Sequence, residues 1–504
     1  MDPGTGLGQK SPHLRSIGAK RRMSDRAGPG GPPKWKGPAQ PAPGIFNAAI
    51  AAHRAGRLDE AMALYDQAIT RGIRLSGAYT NIGVILRQRR RFAAAAAAHR
   101  KALELAPDDT GILGNLGNAL KDEGRFDEAI AIKRRVIELA GENAETLHSL
   151  GIALRDAGQL VEADAVFARA MVLNPDDPEI RFNFALTQLH LGNFATGWRD
   201  YEARWQLERQ KKRDFAQPWW HGEPFAGRTL LLFAEQGFGD TIQFIRFAPQ
   251  VKALGGRVVL ECQPELLRLM RSVEGLDELV VRETPEAEAM VAAADLVCPL
   301  ASLPGIFMAS LAEPQGRVPY LTPPPGAEEK FAPLLARAHG RLKVGIVWSG
   351  SVTFSNNANR SAGLEPYLPL AGIPGVQLIG LQKGPRLDEL KALRTESLIL
   401  DASPLLDDFA DTAALIRQLD LVLMTDSAVA HLTGALGCPI WVMLMHHPDW
   451  RWLGDRPDSP WYPSARLFRQ RTPRDWEQVF ARVEAELTRL AAPYSAAPRR
   501  VAAS

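Results

Sequence analysis

A large apolar residue returns at a fixed interval of 34 positions through the first part of the chain, at Leu58, Phe92, Phe126, Leu160 and Phe194. Three residues after each stands a small one: Ala61, Ala95, Ala129, Ala163 and Gly197. A period this long describes a pair of helices, and the small residue marks where the two cross closely. Gly56, Gly124, Gly158 and Gly192 occupy the turn within each pair, where Arg90 is the one departure; Gly83, Gly117 and Gly151 lie in first helices, and Pro107 and Pro175 at exits. Each pair exposes an apolar face that only another pair can cover. The chain from Ile45 to Trp205 is therefore expected to be a stack of helices.

Helix pairs with this period are the tetratricopeptide repeats, and stacking them makes a solenoid with a concave groove. Such a groove exposes side chains that packing does not require, so a protein or peptide partner is expected there; a bare spacer is the alternative. The pattern then changes into FATGWRDYEARW, Phe194 to Trp205, followed by a joint over 206–228. Trp198, Tyr201, Trp205, Trp219 and Trp220 are expected to weld the repeats to the next domain rather than to stack on a ligand.

From Thr229 short apolar runs alternate with helical stretches: TLLLF, RVVLEC, ELVV and DLVCPL, then KVGIVW, VQLIGL, SLILD, DLVLMT and IWVMLM. Continuous apolar runs separated by helices indicate parallel sheets. The Pro-rich string LTPPPGAEE divides them into two lobes of doubly wound type, 229–340 and 341–490, and ligands of such folds sit at the strand C-termini. Residues 1–44, rich in Gly, Pro and basic side chains, are expected to be a disordered tail, and 491–504 a second tail.

Composition narrows the function. Residues 1–44 hold eight Lys or Arg and two Asp or Glu, so against a whole-chain charge of +3 the rest is near −3. That balance disfavours nucleic acid as a partner. Cys262, Cys298 and Cys438 lie far apart in apolar runs with no metal spacing and read as buried thiols. No run is long and apolar enough to span a membrane and no signal-peptide pattern is present, so a cytoplasmic location is expected. Met23 leaves open where the chain begins.

Several strand-end loops could carry chemistry. In EQGFGDTIQF, Gly237 and Gly239 are expected to allow a tight strand-to-helix turn, and Asp240 is either a helix cap or a general base that takes an acceptor's proton. In LVLMTDSAVAHLTGALGCP, Asp426, Ser427 and Ala428 open a helix whose free N–H groups suit an anion, and His431 follows Ser427 by one turn. WSGS supplies Ser349, NNANRS supplies Arg360 and LQKG supplies Lys383 to the same cleft, and with Gly237, Gly239 and Asp426 they are expected to bind the donor. The two cations are assigned to the leaving phosphates, with a solvated surface role as the alternative. His446 and His447, adjacent on an extended chain, should point to different sides. No paired carboxylate motif stands at a strand end, so metal-independent chemistry is expected, and a hydrolase with paired acid and base is disfavoured.

The strings GWRDYEARW, EQGFGDTIQF, DFADTAALI, TDSAVAHLTGALGCP and DWRWLGDRPDSPWYP together resemble bacterial tetratricopeptide glycosyltransferases. Their GT-B module, two Rossmann-like lobes, is related to the ADP-heptose transferases of glycosyltransferase family 9 and more distantly to O-GlcNAc transferase. The resemblance runs from about Ile45 to Leu490. It implies an α solenoid followed by an α/β GT-B module, a nucleotide-sugar co-substrate with no cofactor, Asp240 as catalytic base, and Ser427, Ala428 and His431 on the donor diphosphate. It implies an acceptor hydroxyl on a protein held by the repeats, flagellin being one candidate. The alternatives are a surface glycan or lipopolysaccharide acceptor, or a nucleotide-binding interaction protein of weak activity. The family often has Thr in place of Ser427, and a charged Asn-Asp-Arg-Asn-Arg-Ser string after His-Lys where this chain has Phe354, Ser355 and then Asn356 to Ser361.

Overall fold

The computed structural model describes residues 44–208, 213–308, 317–352 and 357–495. The basic tail expected over 1–44 lies outside them except for Gly44, as do Phe354, Ser355, Asn356 and residues 496–504.

The first part is a helical solenoid. Its helices are α1 (Gly44–Arg54), α2 (Leu58–Thr70), α3 (Leu75–Gln88), α4 (Phe92–Leu105) and α5 (Thr110–Glu123). They continue as α6 (Phe126–Ala140), α7 (Ala144–Asp156), α8 (Leu160–Leu173), α9 (Pro178–Leu191) and the short α10 (Phe194–Tyr201). The spaced glycines have two separate causes. Those in the turns take the left-handed conformation, with φ between 74° and 88° at Gly56, Gly124, Gly158 and Gly192, and Arg90 adopts it as well at 59°. Those inside helices make room. A β-carbon on Gly83, Gly117 or Gly151 would come within 2.5, 2.8 or 2.7 Å of His99, Lys133 or Phe167, the residues that fill one repeating position on the second helix.

Two parallel sheets follow. The first has β1 (Thr229–Phe233), β2 (Arg257–Cys262), β3 (Glu278–Val281) and β4 (Leu296–Pro299) in the order β3-β2-β1-β4. The second has β5 (Leu342–Val347), β6 (Val376–Gly380), β7 (Ile399–Asp401), β8 (Leu421–Thr425), β9 (Ile440–Leu444) and β10 (Ala465–Arg469), in the order β10-β9-β8-β5-β6-β7. Every pairing between these strands is parallel among the described residues; an isolated antiparallel bridge joins Asp458 to Arg466 of β10. All nine strands expected from apolar runs are present. The tenth, ARLFR, is missing from the sequence reading because polar residues interrupt it: it is an edge strand, with Arg466 exposed and Leu467 buried.

The joint does not stand apart from the first lobe. Trp219 pairs with Val297 of β4, and the Trp220 N–H donates to the Val297 carbonyl at 2.9 Å, so the segment extends that sheet's edge. The final helix, Trp476–Ser495, passes the expected limit at 490 and buries Val479, Phe480, Val483, Leu487 and Ala491 against the second lobe.

One apolar cluster joins all three parts. It runs from Leu189, Phe194 and Trp198 of the solenoid through Phe244 of the first lobe to Trp450 and Trp461 of the second. Trp198 packs edge-on against both Phe244 and Trp450, with ring centroids 6.0 and 5.1 Å apart. The tryptophans thus weld the joint, as expected. Cys262, Cys298 and Cys438 are all buried and unpaired, also as expected.

Candidate active site

In an open parallel sheet the loops that can hold a ligand lie where strand order reverses, because the following helices leave in opposite directions there. The first sheet reverses between β1 and β4, and the second between β5 and β8. After β1 comes the loop with Gly237, Gly239 and Asp240; after β5 comes Ser349; after β8 come Asp426 and Ser427. All of them, with Arg360 and Lys383 from neighbouring strand-end loops, line one cleft of about 1080 Å³ between the lobes.

On the first lobe, helix α11 (Phe238–Phe244) begins at this loop. Asp240 does cap it: one carboxylate oxygen accepts the Gly237 N–H at 3.0 Å. The other accepts from a guanidinium that reaches across the cleft, that of Arg451. The turn from β1 into this helix is short, as expected, with Gly237 as the residue before the helix in extended backbone, and neither Gly237 nor Gly239 adopts a left-handed conformation. Gly239 is needed for close approach. A β-carbon there would lie 2.9 Å from His431 Cδ2 and 3.5 Å from the Ala428 Cα of the opposite lobe.

On the second lobe, helix α12 (Phe409–Ile416) and helix α13 (Ala428–Ala435) frame the cleft. Ser427 precedes α13 in extended backbone and its hydroxyl makes no capping bond; the Ala430 N–H closes on the Ser427 carbonyl at 2.9 Å, and Ser427, Ala428 and Val429 line the cleft. Asp426 stands 3.9 Å from Arg360, and burial raises its carboxyl above the usual range against the pull of that cation. His431 is 5% exposed, with Nδ1 2.9 Å from the Tyr462 hydroxyl and its ring stacked on Trp452 at 5.5 Å. Burial holds it neutral by lowering its pKa to about 3. Its ring lies against Gly239 of the first lobe and lines the cleft.

The remaining expected residues divide. Ser349 is buried beside Asn357 and Ser361, its hydroxyl accepting from the Asn357 side chain at 3.2 Å. Its backbone N–H donates to Gln382 at 2.9 Å, so Gln382 fixes this loop; the sequence reading singled out its neighbour Lys383 instead. Lys383 is exposed and donates to the Ser403 carbonyl at 3.1 Å. His446 and His447 do not diverge: their rings meet at 4.3 Å because the chain turns after β9 and sets His447 against the solenoid. Among the described residues no group of three or more His, Cys, Asp or Glu is placed to hold a metal ion.

Two features have no counterpart in the expected site. Arg451 is the first: it lies in DWRW, a string whose aromatic flanks signal packing but whose charged centre was given no role. The second is the solenoid itself, because Arg155, Asp156, Leu186 and His190 from α7 and α9 line the same cleft. Only the docking of turns onto the second lobe brings them there. His190 Nε2 bonds the Leu453 carbonyl at 3.0 Å, and the Arg474 guanidinium donates to the Asp122 carbonyl at 3.0 Å.

Among known proteins, one family model agrees with the repeats of the solenoid. A tetratricopeptide repeat family model matches residues 86–150. Protein FlbA of Caulobacter vibrioides is 29% identical over 343 residues, covering 63% of this chain and 57% of that protein, so the chain spans little more than half of that relative's length. Among solved structures, YrrB, a TPR protein with an unusual peptide-binding site, is 22% identical and covers 32% of this chain and 82% of its own, with a TM-score of 0.28. A thermophilic TPR protein from Thermus thermophilus is 18% identical over 31% of this chain and 87% of its own, with a TM-score of 0.28. Repeats of this type are a peptide- and protein-binding fold. No described helix is long and apolar enough to cross a membrane.

Proposed function

We propose that this chain is a glycosyltransferase of GT-B architecture, moving a sugar from a nucleotide-sugar donor to an acceptor hydroxyl on a protein engaged by the repeats. The observation that carries the reading is that two strand-end loops, one from each reversal point, face each other across a single cleft, with a carboxylate on one and a helix start that no side chain caps on the other. A transfer of this kind needs both. Asp240 accepts the proton of the acceptor hydroxyl as its oxygen bonds to the sugar's anomeric carbon, and the bond from that carbon to the donor phosphate breaks. The nucleoside diphosphate leaves carrying the electron pair, and the N–H groups opening α13, with Arg360 nearby, meet the developing charge.

Holding two hydrogen bonds does not disable Asp240. A carboxylate offers about four lone-pair directions, and the bonds to Gly237 and Arg451 use one on each oxygen. The part of the solenoid that reaches the cleft is then where an acceptor segment passes from the repeat groove to the reacting centre.

The test is a thermal-shift screen against UDP-, GDP-, ADP-, dTDP- and CMP-linked sugars, followed by nucleotide release with the donor selected. One donor class should raise the melting temperature, and Asp240→Asn should bind it while losing turnover. Undiminished turnover in Asp240→Asn would remove the base assignment. Stabilisation by a nucleotide without any transfer would make the protein a binding module.

A further inference from the structure

We infer that Arg451 is the positioning residue for Asp240 and that the last helices of the solenoid hold Arg451 in place. The role given to Asp240 rests on the transferase reading; the contacts themselves do not.

Arg451 is 9% exposed, and its three nitrogens are each committed to a different oxygen. Nη2 donates to Asp240 of the first lobe, Nε to the Gln243 side chain of that lobe at 2.9 Å, and Nη1 to Asp449 of its own loop at 2.7 Å. One face of the guanidinium lies on the Trp450 ring at 4.3 Å. Burial alone would lower its pKa, but Asp449 and Asp240 outweigh this and hold it above its ordinary value, so the charge is permanent. Three acceptors placed around one planar fork fix its orientation, which a lysine's single ammonium could not reproduce. The Asp240 carboxylate, caught between this fork and the Gly237 N–H, keeps one rotamer with its remaining lone pairs toward the cleft.

The loop carrying Arg451 does not hold itself. Two residues on, Leu453 adopts a left-handed backbone, φ 55°, which a branched side chain resists unless its surroundings impose it. Its carbonyl is the one bonded by His190 of α9, and Trp450 is the ring against which Trp198 of α10 packs. The Asp449 side chain also accepts the Arg451 backbone N–H at 3.1 Å. A continuous path of contacts therefore joins the end of the solenoid to the carboxylate in the cleft, and the repeats set the geometry of the reacting centre as well as presenting a groove.

The experiment is carbodiimide coupling of glycine ethyl ester to carboxylates of the full chain, read at each site by peptide mass spectrometry. It compares the parent with Arg451→Gln, Arg451→Lys and His190→Ala. Asp240 should label slowly in the parent, several times faster in Arg451→Gln and at intermediate rates in the other two, while Asp411 and Asp426 label unchanged. With the donor found in the screen, Arg451→Gln should lose about 100-fold in kcat while the donor KM stays within a factor of about three. Equal labelling of Asp240 in the parent and the variants would overturn the inference. So would a rise at Asp411 and Asp426 in step with Asp240, since that would mean the lobes had come apart. Absence of turnover in the parent would sink the transferase reading alone, because the labelling result stands without it.

Discussion

The imidazole of His447 lies where a β-carbon on Gly158 would have to go. The added atom would sit 1.9 Å from its Cε1, at a turn whose φ is already +78°. Gly56 takes nearly the same conformation at an equivalent turn, φ +74°, with nothing within 4 Å. The two positions separate backbone strain from docking of the solenoid onto the second lobe.

Gly56→Ala should accordingly destabilise by about 1–2 kcal/mol, the cost of forcing a side chain into the left-handed region. Gly158→Ala should carry that cost and about 1–3 kcal/mol more from overpacking at the seam. Urea unfolding of both variants measures the difference. Equal losses would mean that the His447 contact yields freely.

Removing the repeats looks like the natural way to ask whether they bind the acceptor, and the structure argues against it. Leu189, Phe194, Trp198 and Tyr201 belong to the same buried cluster as Phe244, Trp450 and Trp461. A chain starting at residue 213 would expose that surface on both lobes, so it should aggregate or fail to fold, as size-exclusion chromatography and near-ultraviolet circular dichroism would report. A stable, monomeric fragment with native spectra would show that the weld is dispensable.

The period of 34 gave the solenoid nearly residue by residue, because each repeat meets the same neighbours and so each position has one requirement. Arg90 illustrates how local that signal is: it departs in chemistry yet adopts the same left-handed turn. The parallel strands were legible for a similar reason, since both faces are covered and the runs stay apolar; β10, at an edge, was not. The candidate site was legible only in part. Strand ends point to loops, so Asp240, Ser349, Asp426 and Ser427 were found. Arg451 and His190 were not, because their contacts depend on how lobes and solenoid dock, joining residues 211 and 263 positions apart. The approach of Gly239 to His431 and Ala428 of the opposite lobe is not legible for the same reason, because no single-loop argument contains it.

Tyr65, His99, Lys133, Phe167 and Tyr201 occupy one position of the repeat, and at two of the five a side chain bearing nitrogen replaces Phe or Tyr. Lys133 satisfies its ammonium on the Gly114 carbonyl and the Asn118 side chain at 2.9 and 2.8 Å. His99 does not: it is fully buried and neither ring nitrogen has a hydrogen-bond partner. His99→Phe should therefore stabilise the chain by about 1–3 kcal/mol, the cost of burying an unmet polar group, since Phe167 shows that a ring of this size fits beneath the paired glycine. A lower denaturant midpoint in His99→Phe would mean that the imidazole has a partner, such as a buried water.

The same histidine makes stability depend on acidity, together with two at the solenoid seam. Burial lowers the pKa of His99, His190 and His447 to about 4 in each case, and that of His431 in the cleft to about 3, below the 6.5 of an exposed imidazole. Because the folded values lie below the unfolded one, the unfolded chain binds more protons as pH falls, and the fold loses stability across the window from about 6.5 down to about 4. Asp411 adds a loss of the same sign lower down. Against burial, Lys330, the Asp407 backbone N–H and Arg268 hold its carboxyl below the usual range, so the stability from those contacts is present above the unfolded carboxylate value and disappears as pH falls through the folded one. Burial raises the Glu235 carboxyl to about 7, so its protonation favours the fold over the same range and offsets about one histidine. Urea midpoints should thus fall between about pH 7 and about pH 5 by the remaining histidines' share, and His99→Phe should flatten that slope by roughly one histidine's share. A parent midpoint that rises as pH falls over this range would mean that these imidazoles are protonated in the folded chain and not held neutral by burial.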